Sequence, residues 1–267
     1  MISIIVPSHN PQSYLWDCLD SICHQTLNHD DYETIIVLNG CNEPYKTQIE
    51  NYIKKRNSQW HIRLIQTDIP GVSNARNIGM DYSIGDYYTF IDDDDLISPC
   101  FLEEMLKISS VHCIGCSNSL CIEESLKTTN DNFITKAFHD CKRKKYTSFY
   151  YRKFLSSVWG KLFHKTIVND VRFPVSLIKS EDSVFCFELV PRIKEMHLTD
   201  DRAIYFQRKR KGSVMRRKYG VMFELHELLK IENAYLNLWV HNPLKYDPKF
   251  VLTRMIACIC NFIKYIL

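Results

Sequence analysis

The first hundred residues alternate between short β-branched segments and segments of helical periodicity, and this alternation is the strongest constraint on the fold. Residues 2–6, 34–38 and 61–66 are largely apolar runs of strand length. Between them, residues 14–26 and 72–83 carry apolar side chains at the spacing of a helix face. Such alternation is typical of parallel strands joined by crossover helices. The sequence therefore predicts an α/β fold with a mostly parallel central sheet flanked by helices.

Size and composition exclude several classes of protein. The chain has 267 residues, 45% of them hydrophobic, so it can bury the core of a large domain without disulfide bonds. A formal net charge of +3 is too small to indicate nucleic-acid binding. The 11 cysteines lack paired CxxC spacing, which favours free thiols in a reducing cytoplasm. No signal-peptide pattern opens the sequence, and no apolar run reaches the ~18 residues of a membrane span. We expect a cytoplasmic protein.

Four consecutive aspartates, Asp92 to Asp95, follow directly on a predicted strand at residues 87–91, and we call them the aspartate run. Open α/β sheets bind their ligands at the carboxyl ends of strands. In an extended backbone Asp92 and Asp94 project to the same side. Two convergent carboxylates suit Mg²⁺ or Mn²⁺ and leave coordination positions for substrate phosphates. Taken alone, the run is equally consistent with a solvated acidic turn before the helix that follows Pro99.

Other motifs accompany the aspartate run in a specific order. They are Pro7-Ser8-His9-Asn10 after the first strand, Gly71-Val72-Ser73-Asn74-Ala75-Arg76-Asn77-Ile78-Gly79 at the start of a helix, Trp159-Gly160-Lys161-Leu162, Glu181-Asp182, and Arg208 with Arg210. Together with the aspartates, this set resembles the family-two glycosyltransferases of GT-A fold. The resemblance covers residues 2–215 and implies a Rossmann-like GT-A domain over residues 1–215. Its nucleotide-sugar half spans about 1–98 and its acceptor half about 99–215, with a C-terminal helical extension at 216–267.

The resemblance implies roles for residues of the donor half. Asp94 matches the direct ligand of a Mn²⁺ or Mg²⁺ cofactor, Asp92 helps to hold the metal and the ribose, and Asp95 lies behind them. The expected nucleotide-sugar-binding residues are Pro7, Ser8, Asn10, Asn39, Arg76, Asp92, Asp93, Arg208 and Arg210. Read alone, Arg76 is also consistent with an ordinary ion pair on a helix face.

Asn39 departs from the family pattern, which usually has a carboxylate there that recognises the base. Its carbonyl can still accept a hydrogen bond, and its amide can donate one. A UDP-sugar is the expected donor by family habit, while GDP- and other nucleotide sugars stay open.

The acidic pair, Glu181 and Asp182, is the candidate base region. An acceptor hydroxyl loses its proton as it attacks, and the positive end of a predicted helix at residues 180–190 favours an ionised carboxylate there. By resemblance Asp182 is the catalytic base, while Glu181 and Trp159 contact the acceptor. A single base implies one displacement with inversion at the anomeric carbon. Without the other motifs, Ser-Glu-Asp reads as a helix cap and first turn.

The later part of the chain offers weaker signals. Residues 123–145 are polar and are expected to be irregular acceptor-side loops. Residues 208–218 hold seven basic side chains, for which a role at the diphosphate, at an anionic acceptor or as a solvated face stays open. The segment from residue 219 is predicted to be helical with a break at Asn242-Pro243. Its last helix is amphipathic, with Arg254 on its polar face, and either lies on a membrane surface or packs on the domain.

The sequence thus predicts an inverting, metal-dependent glycosyltransferase that moves a sugar from a nucleoside-diphosphate sugar to a saccharide or lipid-linked acceptor. Surface polysaccharide synthesis at the inner face of the plasma membrane is the expected setting, without a nucleic-acid partner. Two alternatives remain. A sugar-nucleotide nucleotidyltransferase would carry a Gly-rich basic loop after the first strand, which residues 7–14 lack. A non-enzymatic basic module for membranes or nucleic acid would not need the aspartates.

Overall fold

The computed structural model describes residues 1–56, 60–123, 129–210 and 219–267. The strands are β1 (Ile2–Ser8), β2 (Tyr32–Asn39), β3 (Ile62–Thr67), β4 (Tyr87–Phe90), β5 (Leu96–Ile97), β6 (Cys113–Cys116), β7 (Asn118–Glu123), β8 (Thr129–Asp131), β9 (Lys161–His164), β10 (Glu195–Leu198) and β11 (Ile204–Lys209). The α-helices are α1 (Tyr14–Cys23), α2 (Tyr45–Lys55), α3 (Val72–Asp81), α4 (Phe101–Ile108), α5 (Phe133–Cys141), α6 (Lys165–Val168), α7 (Glu181–Leu189), α8 (Val221–His241) and α9 (Pro248–Ile266).

The main sheet has seven strands in the order β10-β6-β9-β4-β1-β2-β3. β1 pairs in parallel with β2 and β4, and β2 pairs in parallel with β3. β9 is antiparallel to both of its neighbours, β4 and β6, and β10 is parallel to β6. The strands β1, β2, β4, β6 and β10 therefore end at one common edge. The predicted mostly parallel α/β sheet is confirmed.

The elements of the first hundred residues were predicted well because their apolar residues are buried. Every residue of β1 is buried, because helices cover both faces of a parallel sheet. Helix α1 turns Leu15 and Leu19 into the core, where neither is exposed. Helix α3 lies so close to β1 that a Cβ at Gly79 would stand 2.4 Å from a methyl carbon of Ile5. Only glycine allows this approach, which brings the N-terminal end of α3 beside the carboxyl ends of the strands.

A second sheet, with the order β5-β11-β7-β8, was not predicted. β11 pairs in parallel with β7 and antiparallel with β5, which follows the aspartate run directly. This pairing carries Tyr205 and Arg208 to the aspartates.

The expectation of irregular loops at residues 123–145 is wrong for the described part of that stretch. It contains β8 and α5. Asn132 caps α5, because its side chain accepts hydrogen bonds from the N–H groups of Ile134 and Thr135 in a capping box. The polar residues that suggested loops are the cap and the exposed face of an amphipathic helix.

The C-terminal helices α8 and α9 form the predicted helical extension, with the predicted break between His241 and Pro248. They pack on α7, where the hydroxyls of Tyr235 and Ser183 lie 2.6 Å apart and Phe187 stacks on Phe250. The predicted boundary at residues 215/216 lies outside the described residues. The division into domains therefore stays a prediction.

The last helix, α9, has one packed and one exposed apolar side. Phe250 and Val251 are buried, and so is Arg254, whose guanidinium donates to the carbonyl of Leu155. Placing Arg254 on a polar outer face was therefore wrong, and the packing interpretation is confirmed for this side. The outer side exposes Leu252, Ile256, Ile259, Ile263 and Ile266 by 45–59%. In the part of the chain that the structure describes, no helix is long and apolar enough to span a bilayer.

Candidate active site

The aspartate run forms a turn, because the N–H of Asp95 donates to the carbonyl of Asp92 over 3.0 Å. The backbone is therefore not extended here, and the predicted same-side projection of Asp92 and Asp94 has no basis in strand alternation. The four side chains meet different partners. These are Arg76 for Asp92, Ser8 for Asp93, Arg210 for Asp94, and Tyr205 with the N–H of Arg208 for Asp95.

Asp95 anchors this turn to β11. It is 3% exposed, and it accepts hydrogen bonds from the Tyr205 hydroxyl (2.7 Å) and the Arg208 N–H (2.8 Å). The Tyr205 hydroxyl also accepts from the N–H of Asp92 over 3.2 Å. Asp95 therefore supports the turn from behind, as the resemblance implied.

The four carboxylates lie close together, and burial and mutual repulsion raise the pKa of three of them. Burial raises the pKa of Asp93 to about 7 despite the hydrogen bond from Ser8. Burial and the charge of Asp92 raise the pKa of Asp94, and burial with the charge of Asp94 raises that of Asp95. A divalent cation would relieve this repulsion, and carboxylate oxygens are the ligands that Mg²⁺ and Mn²⁺ prefer. The residues present at the turn therefore fit the predicted cofactor.

Arg76 connects the aspartate run to the acidic pair. Its side chain is 3% exposed and projects from α3. It donates to Asp92 over 2.9 Å, to Asp182 over 2.6 Å and to Glu181 over 3.2 Å. A buried guanidinium among three carboxylates is far more than the helix-face ion pair that a single-residue reading suggested. The nucleotide contact predicted for Arg76 remains untested.

The acidic pair lies at the first turn of α7, preceded by Ser180 in a left-handed conformation with φ of 61°. The N–H of Val158 donates to Asp182 over 3.3 Å. Burial raises the pKa of Asp182, although the charge of Arg76 opposes the shift. Burial and the neighbouring Asp182 raise the pKa of Glu181 to about 7. A carboxylate with a raised pKa is a stronger proton acceptor, which is what a general base requires.

The predicted nucleotide turn lies at the ends of β1 and β2. Pro7 and Ser8 are in β1, and Ser8 donates to Asp93 over 2.6 Å. Asn10 is exposed with φ of 48°, and its N–H donates to the thiol sulfur of Cys41. Ser8 thus lies beside the aspartates, whereas Asn10 lies at the rim.

Asn39 is 2% exposed and joins two loops. Its amide donates to the carbonyl of Ser8 over 2.8 Å, and its side-chain oxygen accepts from the N–H of Gly71 over 2.9 Å. These two bonds hold the end of β1 against the start of α3. Asparagine supplies both the donor and the acceptor, whereas an ionised aspartate could only accept.

Arg208 and Arg210 project from the end of β11 and its exit. Arg208 donates to the carbonyl of Asp94 over 2.9 Å and to Asp17 over 2.8 Å, and its side chain is 3% exposed. Arg210 pairs with the Asp94 carboxylate. The rest of the predicted basic segment, residues 211–218, lies outside the described residues. The structure therefore brings both predicted arginines to the aspartate run.

Trp159 lies deeper than the acceptor role predicted for it would suggest. It is 6% exposed and stacks on Tyr205 with ring centroids 5.0 Å apart. Lys161, for which no role was predicted, is 1% exposed and donates to the carbonyl of Trp159 over 3.1 Å. Burial lowers the pKa of Lys161. Sequence reasoning also missed Tyr205, whose only signal was its position three residues before Arg208 in an extended segment.

One further group of potential metal ligands lies away from this site. Cys113, Glu195 and His197, on β6 and β10, place ligand atoms within 4.8 Å of one another. β6 and β10 are two and three strands from β4, and the mixed thiol, carboxylate and imidazole chemistry of this group does not resemble the all-oxygen aspartate run. The metal site predicted from sequence is therefore the two-carboxylate site at Asp92 and Asp94.

Comparisons with known proteins agree with this geometry. The model of a family described as glycosyl transferase family 2 matches residues 3–162, more than half of the chain. EpsH of Bacillus subtilis (strain 168), assigned as a glycosyltransferase, is 26% identical over 271 residues, covering 97% of this chain and 76% of EpsH. The poly(ribitol-phosphate) beta-N-acetylglucosaminyltransferase TarS of Staphylococcus aureus (strain MW2) is 24% identical over 232 residues, 86% of this chain but only 39% of TarS.

Solved structures show the same fold. S. aureus TarS 1-349 in complex with UDP-GlcNAc gives a TM-score of 0.71 at 20% identity, covering 88% of this chain and 66% of that one. The mannosyltransferase PcManGT from Pyrobaculum calidifontis, in complex with GDP-Man and Mn²⁺, gives 0.62 at 14% identity, covering 98% and 69%. The predicted GT-A fold is confirmed.

Proposed function

This chain belongs to glycosyltransferase family 2, and we propose that it transfers a sugar from a UDP-sugar to an acceptor hydroxyl with inversion at the anomeric carbon. The observation that carries the proposal is the position of Arg76, which contacts Asp92 of the aspartate run and both residues of the acidic pair. A single displacement needs a leaving-group site and a base close together on opposite sides of one sugar. Arg76 contacts Asp92 at the leaving-group site and Asp182 as the base, so it holds both within reach of one sugar.

Asp182 is the base in this proposal. Its carboxylate is fixed by Arg76 and by the N–H of Val158, so it is oriented before the acceptor arrives. The raised pKa of Asp182 improves proton acceptance, and the charge of Arg76 keeps an ionised fraction available. Glu181, with a pKa near 7, lies beside it and provides a hydrogen-bonding group for the acceptor.

The donor diphosphate binds at the aspartate run and the arginines of β11. Asp94 with Asp92 would hold Mn²⁺ or Mg²⁺, which supplies neutralisation of the charge that develops on the departing diphosphate. Arg210 pairs with Asp94 and can turn to a phosphate oxygen of the donor. Ser8 orients Asp93, and Asn39 fixes the loop that faces the base.

The donor and acceptor proposals draw on the relatives. TarS, whose name describes transfer of N-acetylglucosamine to poly(ribitol-phosphate), has been solved with UDP-GlcNAc, which supports a UDP-sugar donor and a cell-surface polymer as acceptor. We extend this to surface polysaccharide synthesis by this chain. Membrane-surface contact rests on the apolar outer side of α9 alone. Sedimentation with anionic vesicles, lost in a chain ending at Lys245 and in high salt, is its test.

A thermal-shift panel tests the proposal as a whole. UDP, GDP, CDP and dTDP are each added with Mn²⁺, with Mg²⁺ and with chelator, because a ligand that binds only the folded state raises the melting temperature. We expect the largest shift with UDP and Mn²⁺ or Mg²⁺. Stabilisation by no nucleotide, or equal stabilisation with chelator, would contradict the donor site.

A further inference from the structure

A cavity of about 670 Å³ opens at the β10 edge of the main sheet, away from the donor site. Four lysines line it: Lys142, Lys144 and Lys145 after α5, and Lys194 before β10. Its size is typical of a cavity that holds a small molecule or one unit of a polymer. Nothing in the proposed mechanism uses this cavity.

The lysines give the cavity an excess of positive charge. Lys142 pairs with Asp201 over 2.7 Å. Within the described residues, the side chains of Lys145 and Lys194 make no ion pair or hydrogen bond. The wall has one carboxylate, Glu195, which lies 3.0 Å from the imidazole of His197 and is outnumbered by the four lysines. An anionic ligand would therefore meet at least two uncommitted ammonium groups.

Two buried hydroxyls on the wall lack partners. Thr199 is 4% exposed, and its Oγ1 makes no hydrogen bond with the described residues. The Oη of Tyr146 is buried and unpartnered in the same way. Burial raises the pKa of Tyr146, so its phenol keeps the proton and can donate. Leaving a buried hydroxyl unsatisfied costs about 1–3 kcal/mol, which a ligand oxygen would recover after a small side-chain rotation brings the hydroxyl to the cavity surface.

The cavity runs along β10 from Lys194 to Thr199, and its Thr199 end lies at the same edge of the sheet as the aspartate run. Thr199 directly follows β10, and the N–H of Thr199 donates to the carbonyl of Cys116 at the end of β6. Three strand spacings separate β10 from β4, which places the two strand ends about 15 Å apart. One extended chain can thus occupy both regions.

We propose that this cavity binds a phosphodiester group of the acceptor chain, a few units from the hydroxyl that receives the sugar. Phosphate oxygens accept from lysine ammonium groups and from hydroxyls together, which matches the lining. A recess with hydroxyls buried in its wall suits a flexible polymer chain, because the headgroups of a flat membrane surface do not reach them. The identity of the chain as acceptor rests on the proposed function, whereas the phosphate site does not.

Calorimetry with a soluble glycerol-phosphate hexamer tests the site in the full chain. Lys145→Gln combined with Lys194→Gln is expected to weaken hexamer binding about tenfold and to reduce its salt dependence. Thr199→Val, which keeps the shape and removes the hydroxyl, is expected to weaken it about threefold. Lys46→Gln with Lys54→Gln on α2 is the matched control and should bind as the wild type does. The UDP affinity should be the same in every variant.

Equal hexamer binding by the cavity variants and the control would overturn the proposal. So would binding that occurs only to phosphatidylglycerol vesicles and not to the soluble hexamer. Loss of hexamer binding in the cavity variants, in a chain that binds no UDP in any form, would support the phosphate site and refute the transferase. The two failures are therefore distinguishable.

Discussion

The aspartate run and the acidic pair both contact Arg76, yet they are held by different kinds of contact. Partners of the run come from separate elements, with Ser8 on β1 and Tyr205 on β11. The pair is held by Arg76 and one backbone N–H at the start of a single helix. Contacts made by several separate elements can be replaced by contacts to a ligand. A helix start that is fixed by one buried arginine cannot readily move. This difference supports the proposal that the run binds the donor and that the pair transfers the proton.

Replacing Arg76 should remove the contact that the two regions share, and we expect the largest loss of stability from it. Arg76→Gln leaves three partly buried carboxylates without their shared cation, and we expect the free energy of unfolding to fall by about 3 kcal/mol, the lower end of the range for buried pairs, because these carboxylates keep some contact with water. Urea denaturation measures this loss. Arg172→Gln, which breaks an exposed pair with Asp81, is the control and should cost less than about 1 kcal/mol. Equal stability of the two variants would show that Arg76 does not organise the site.

Asp182→Asn should separate the two regions functionally. The amide keeps the shape but cannot take the acceptor proton, so transfer is expected to fall by on the order of 10² or more. UDP affinity, measured by calorimetry, should stay close to that of the wild type, because the aspartate run is intact. The exposed Asp170→Asn serves as control. A near wild-type rate of transfer would remove Asp182 from the mechanism.

Asp94→Asn, in contrast to Asp182→Asn, should weaken donor binding. We expect the gain in UDP affinity on adding Mn²⁺ to drop at least about tenfold, since one charged ligand of the cation is lost. Melting temperature without nucleotide should not fall, because the substitution relieves repulsion within the run. Calorimetry with and without Mn²⁺ gives the first quantity. Undiminished metal-dependent affinity would place the cation elsewhere.

The acidic pair should also make the free energy of unfolding depend on pH, which is the smallest effect we predict. The pKa of Glu181 is about 7 in the folded chain, whereas the ordinary pKa of a glutamate, 4.5, applies to the unfolded chain. The folded state therefore binds more protons between these values, and this contribution to stability falls as pH rises through the window. Glu181→Gln should flatten that fall by on the order of 1 kcal/mol, because Asp182 shares the titration. Parallel melting curves of wild type and variant from pH 4.5 to 7 would contradict the raised pKa.

The parts of the fold that were predicted from the sequence are those in which buried apolar residues recur at regular spacing. The strand at residues 2–6 and the helix from Tyr14 have uninterrupted apolar patterns, and both were placed within two or three residues. α5 was missed because its capping asparagine and polar face resemble a loop. β9 and β10 were missed because neither contains a β-branched residue.

Sequence also predicted which residues meet at the site, but not how they meet. Order and spacing of the motifs gave the aspartates, Arg76 and the acidic pair. The turn at the aspartates depends on Tyr205, which lies 110 residues beyond Asp95 and has no local signal. The two hydrogen bonds of Asn39 depend in the same way on the distant Gly71. Long-range polar contacts of this kind do not appear in a single sequence.

The central claim, one displacement with Asp182 as base opposite the diphosphate, is tested most directly by the stereochemistry of the first-formed product. Time-resolved ¹H NMR of slow hydrolysis of an α-linked UDP-sugar, with water in place of the acceptor, distinguishes the two anomers before they equilibrate. The account predicts initial formation of the β-anomer, and loss of this signal in Asp182→Asn. Initial formation of the α-anomer would contradict it, because retention requires two displacements.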